Sequence, residues 1–134
     1  TNPYKDYLML LLINSTVADV CLKESVNHNT VTKIIDSYIG KETDWKSVRR
    51  IDLLGLDEIS LKKGYQDYMT IITSRSKTGK NRILGVVKGK EKKDIKAFLL
   101  KIPNRLRNNI CGICTDMYDG YVNAEKAAIL GELF

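Results

Sequence analysis

Two aspartates each close an apolar run. One stands in Leu53-Leu54-Gly55-Leu56-Asp57-Glu58-Ile59, the other in Ile110-Cys111-Gly112-Ile113-Cys114-Thr115-Asp116. A carboxylate at the end of a buried strand is costly unless something positive meets it. Two such strands, side by side, would bring both carboxylates to one point. Paired carboxylates hold Mg2+ or Mn2+ for phosphodiester chemistry. The plainer alternative is that both acids mark where strands emerge into water. Other chemistries fare worse. Cys111 and Cys114 have the spacing of a redox or zinc pair. Side chains three apart on a strand point to opposite faces, however, and no second pair exists. Small buried apolar residues is the better reading for them. His28 is the only histidine, so no Ser-His-Asp set is available. Thr78-Gly79-Lys80 lacks the upstream glycine of a phosphate loop, and Asn81 replaces its Ser/Thr.

The elements that must position the acids follow from periodicity. Leu53 to Leu61 reads as a strand, Lys62-Lys63-Gly64 as a turn, and Tyr65 to Thr73 as a second strand rich in β-branched and aromatic residues. Ser74 to Asn81 is a polar loop, and Arg82 to Lys88 a third strand. Glu91 to Ile102 repeats apolar residues at Ile95, Phe98, Leu99 and Ile102, a helix ended by Pro103. Ile110 to Thr115 is a fourth strand and Asn123 to Leu130 a further helix. Three antiparallel strands, then a crossover helix that sets the fourth strand beside the first, put Asp57 and Asp116 on neighbouring strands. This is a ribonuclease H-like mixed sheet with helices, lacking its last strand and helix.

The first forty residues are helical. Tyr4, Tyr7, Leu8, Leu11 and Leu12 form one stripe. A second helix runs from about Thr16 to Glu24 and a third from about His28 to Ile39, with Asn27 as N-cap and Gly40 as stop. The second and third helices fit a helix-turn-helix, with Cys21 at the close crossing and two departures, Ser25 where glycine is common and Glu24 where an apolar residue is usual. On that reading His28, Asn29, Thr32, Lys33 and Asp36 face outward from the recognition helix, and the first four suit base edges and phosphates. The alternative is a three-helix cluster without a ligand. The chain thus divides into a helix-turn-helix unit at 1–40, a polar linker at 41–52 in which Trp45 docks on a neighbour, and a partial catalytic domain at 53–134. The fold class is α/β.

Charge agrees with a polyanionic partner. The net charge is +6. Residues 1–39 carry −1 and residues 40–134 carry +7. Between Arg75 and Arg107 there are twelve basic residues against Glu91 and Asp94 alone. Such density points to nucleic acid or to a solubilising surface. Lys77, Lys80, Arg82 and Lys88 are the candidate phosphate contacts. No apolar stretch reaches the length that spans a bilayer, and no signal peptide is visible. Three cysteines without a secretory mark favour a reducing, cytoplasmic setting. A start on Thr1 and an apolar end at Leu133-Phe134 suggest a piece of a longer protein.

Several segments together resemble a known family. Leu56-Asp57-Glu58-Ile59-Ser60-Leu61-Lys62-Lys63-Gly64, Arg82-Ile83-Leu84-Gly85-Val86, Lys96-Ala97-Phe98-Leu99 with Ile102-Pro103, and Thr115-Asp116-Met117-Tyr118-Asp119-Gly120-Tyr121-Val122-Asn123-Ala124 are similar in order and spacing to bacterial insertion-sequence transposases of the ISL-three family. The resemblance covers roughly Leu53 to Lys126. It implies a DDE transposase acting in the bacterial cytoplasm on transposon-end DNA, and self-association. It also implies that two aspartates and a distal glutamate hold two Mg2+ or Mn2+ ions. Asp57 matches the first acid and Asp116 the second. Glu125 and Glu132 follow Asp116 too closely to be the third, which would lie beyond Phe134. Such a piece would be inactive alone. A non-enzymatic DNA-binding or regulatory module, from a decayed or reused element, is the alternative.

Overall fold

Alternating and helical apolar patterns resolve into helices and strands in the computed structural model, which describes residues 3–13, 15–60, 68–75, 81–89 and 91–114. Helices α1 (Pro3–Leu12), α2 (Val17–Glu24) and α3 (His28–Tyr38) come first. Strands β1 (Leu53–Ser60), β2 (Tyr68–Arg75) and β3 (Asn81–Lys88) follow, then α4 (Lys92–Leu99), α5 (Asn104–Arg107) and β4 (Gly112–Cys114). The chain is therefore α/β with one mixed sheet.

Local chemistry fixes the helix ends. Thr16 caps α2 by accepting from the Asp19 amide at 3.1 Å, and Asn27 caps α3 by accepting from the Asn29 amide at 2.7 Å. Between them Ser25 sits in the left-handed region at φ 53°, the position where glycine is favoured. Gly40, at φ +76°, follows the end of α3. Helix α4 stops at Leu99, short of the expected Ile102. Amides of Lys101 and Ile102 bond to Phe98 and Leu99, which tightens the chain before Pro103. The short α5 was not expected, because Pro103 reads as a stop but here stands at the N-cap of the next helix.

The sheet order is β3-β2-β1-β4, with β1–β2 and β2–β3 antiparallel and β4 parallel to β1. That is the connectivity expected from the strand–strand–strand–helix–strand order. Each face of the sheet carries a core. Leu8, Met9, Leu12, Val17, Val20, Val31, Ile34 and Ile35 of α1–α3 pack with Ile59, Met69, Ile71 and Val86 on one face. Leu54, Leu56, Ile72 and Leu84 pack with Ile95, Leu99, Ile102, Leu106 and Ile113 on the other. Residues 41–52 do more than connect. Val48 and Ile51 are buried in the second core, and Trp45 meets Phe98 with ring centroids 6.0 Å apart, as its expected docking requires.

The β2–β3 register shifts between Ile72, opposite Gly85, and Thr73, opposite Ile83. Leu84 is the extra residue of this bulge. Its carbonyl accepts from the Thr43 hydroxyl, and Ile39 bridges in parallel to Val86, so the segment after α3 runs along β3. A Cβ on Gly85 would stand 2.4 Å from a ring carbon of Phe98, so the glycine gives α4 its seat.

Candidate functional site

Asp57 lies within β1, opposite Ile71 of β2. Strand alternation gives it the face of Ile59 and turns Glu58 to the other side. The exposures agree. Asp57 is 2% exposed, whereas Glu58 lies exposed. Alternation along β1 thus separates the two adjacent acids. Asp57 is thus a buried carboxylate on the sheet face that carries α1–α3.

A guanidinium compensates it. Arg75 Nη2 donates to Asp57 Oδ2 at 2.8 Å. Arg75 Nε lies 3.5 Å from Thr73 Oγ1. The Asp57 side chain is 2% exposed and that of Arg75 25%, so the pair reaches water through its basic member. A buried ion pair of this kind is held by geometry, because losing either partner strands the other charge. Arg75 was not singled out from sequence. The available signal was its even offset from Ile71, the partner of Asp57, which keeps it on the same face of β2.

Asp116 lies outside the described residues, as do Lys77, Lys80, Asp119, Glu125 and Glu132. The β1–β4 register runs Leu53–Gly112, Leu54–Ile113 and Gly55–Cys114. Asp57 stands two residues after Gly55, and Asp116 two residues after Cys114. Among the described residues, no three His, Cys, Asp or Glu side chains gather as a metal site. Cys111 is exposed and its thiol donates to the Asp52 carbonyl at 3.1 Å.

The other candidate residues are dispersed. His28, Asn29, Lys33 and Asp36 are exposed on α3. Thr32 is half-buried, and its hydroxyl bonds back to the His28 and Asn29 carbonyls at 3.2 and 3.0 Å. Arg82 and Lys88 stand towards opposite ends of β3. Arg82 donates to the Ser47 carbonyl at 2.8 Å and to its hydroxyl, so it clamps the turn at Trp45–Ser47. Arg105 holds the same turn from α5, donating to the Val48 carbonyl at 2.9 Å and to that of Trp45. Lys88 borders a cleft of about 540 Å³, which Lys41, Trp45, Phe98 and Lys101 also line. Asp57 is not part of that cleft. Among the described residues, no helix is long and apolar enough to cross a membrane.

Asp57 supplies hard carboxylate oxygen on a water-poor sheet face, already matched to a cation. That chemistry fits a divalent ion, with the remaining donors to come from elsewhere. A protein-family model described as transposase matches residues 54–129, more than half of the chain. The match runs from β1 through β4 and includes both aspartates. No curated protein and no solved structure gives a significant match.

Proposed function

The chain belongs to the ISL-three family of transposases, and from that premise we propose that Asp57 and Asp116 form the acidic centre of a DNA-cutting and DNA-joining enzyme. One observation carries the reading. Asp57 is a buried carboxylate within the strand to which β4 is parallel, and the described β1–β4 pairing ends at Gly55–Cys114, two residues before each aspartate in sequence. The sheet order supports a ribonuclease H-like core.

Asp57 and Asp116 would contribute carboxylate oxygens to the ions. Bound there, Mg2+ or Mn2+ would activate water or a DNA 3′-hydroxyl and stabilise the leaving oxygen of an in-line displacement. The chain's own part is orientation. Pairing with β2 sets Asp57 opposite Ile71, and burial limits the water that competes for its carboxylate. A third acid, beyond this pair, completes the family pattern.

The helices supply the second half of the proposal. Ser25 in the left-handed region lets α3 leave α2 through a tight turn, and His28, Asn29 and Lys33 stand exposed on α3. This arrangement supports a helix-turn-helix that reads transposon-end DNA. Lys88, and the basic residues Lys77 and Lys80, would add phosphate contacts.

Calorimetric titration of Mn2+ tests the acidic centre. Wild type should bind, and Asp57→Asn and Asp116→Asn should each lose binding. Binding that survives both substitutions would reject the assignment. Lys33→Ala should weaken duplex binding and reduce its salt dependence by about one counterion. Unchanged affinity would remove α3 from the groove. DNA binding without any Mn2+ binding would leave a DNA-binding module.

A further inference from the structure

The approach of Arg75 to Asp57 is built into the strand pair. The backbone of Arg75 lies opposite Leu53, while Asp57 lies opposite Ile71. The guanidinium must therefore run back along the sheet to reach Asp57 Oδ2. Its path passes Gly55. A Cβ at that position would stand 2.7 Å from Arg75 Nε and 2.1 Å from Thr73 Oγ1. Glycine is thus the residue that leaves room for the guanidinium, and Thr73, fully buried, flanks it.

A divalent cation and a guanidinium at the same carboxylate oxygen compete, because each is positive and draws on the same lone-pair density and the two repel at that distance. On the reading that Asp57 is a metal ligand, Arg75 occupies one of the oxygens that such an ion would use. The pair is also lopsided, with a 2% exposed acid and a 25% exposed base. The basic member is the one free to move towards water, because a long side chain can turn outward while Asp57 is fixed by its strand. We infer that Arg75 is a displaceable stand-in for the metal. It holds the Asp57 carboxylate in place while no ion is bound, and yields Oδ2 when one arrives. Arg75 is then a positioning residue that sets the ion's apparent affinity, and Gly55 is what admits it.

This inference rests on the metal reading above, and the two can fail separately. The experiment is Mn2+ titration and thermal melting of the whole chain as wild type, Arg75→Gln and Arg75→Lys. Removing a charged hydrogen bond that competes for the oxygen should tighten Mn2+ binding about tenfold or more in Arg75→Gln, with Arg75→Lys between. Arg75→Gln should melt lower than wild type without metal and regain most of that loss in saturating Mn2+. A merely structural ion pair would leave the loss in place. Equal Mn2+ affinity in wild type and Arg75→Gln would overturn the inference and spare the metal site. No Mn2+ binding in either would overturn both. If Arg75→Gln does not fold, Arg75→Lys decides the matter by the same comparison with wild type.

Discussion

At Asp57 a carboxylate exchanges water for a guanidinium and a place in a four-stranded sheet. The exchange is tolerable only with the pair intact, since a lone buried charge costs several kcal/mol. The acid itself was legible in sequence, because an apolar run that ends in aspartate states the problem of burying charge. Its partner was not. Arg75 is eighteen residues away, and its contact depends on hairpin register and on the space left by Gly55. Tyr38 makes a second, half-buried polar contact, donating to Asp6 across the helices. Burial, with that hydrogen bond, raises its phenol above the usual 10.0. The folded chain keeps a proton that the unfolded chain releases near pH 10. The stability from Tyr38 is therefore full below that pH and declines as pH rises beyond it. In denaturant melts, the gap between wild type and Tyr38→Phe should narrow between pH 9 and about 11. A constant gap would contradict this.

At the scale of elements, the bulge in β3 and the seat of α4 are one device. The extra residue Leu84 turns both itself and Gly85 towards the second core, and Phe98 fills the space over Gly85. Trp45 closes the other side of that ring. Phe98→Ala should cost about 2–3 kcal/mol, below the range for a fully buried ring because Phe98 is half-buried. A loss near zero would mean that α4 is not held by this contact. The helical repeat at Ile95, Phe98 and Leu99 made α4 readable in advance. The bulge was not readable, since nothing in Ile83-Leu84-Gly85-Val86 distinguishes an alternating strand from one that skips a register. Helix α5 escaped for a similar reason. Four residues carry too little period, and one buried leucine, Leu106, anchors it.

Across the whole molecule, the sheet is the common wall of two cores. The helices α1–α3 share their core with Ile59, Met69, Ile71 and Val86, so the proposed DNA-reading layer is built against the sheet that carries Asp57. Sequence patterns carried the order of the strands and the parallel placement of β4. The sharing of a core by helices and sheet was invisible to them, because apolar residues do not announce which other stripe they meet. The charge asymmetry, −1 before residue 40 and +7 after it, places most of the basic surface with the sheet portion rather than the helices. On the proposed function, chemistry and much of the phosphate attraction fall to the sheet portion, and base reading to exposed residues of α3. The proposal stands or falls on whether Asp57 and Asp116 meet at one cation. The most direct measurement is Mn2+-induced broadening of amide signals in the isotope-labelled chain. Broadening should centre on residues around both Asp57 and Asp116, and be lost in Asp57→Asn. Broadening that centres elsewhere, or that persists in Asp57→Asn, would contradict it.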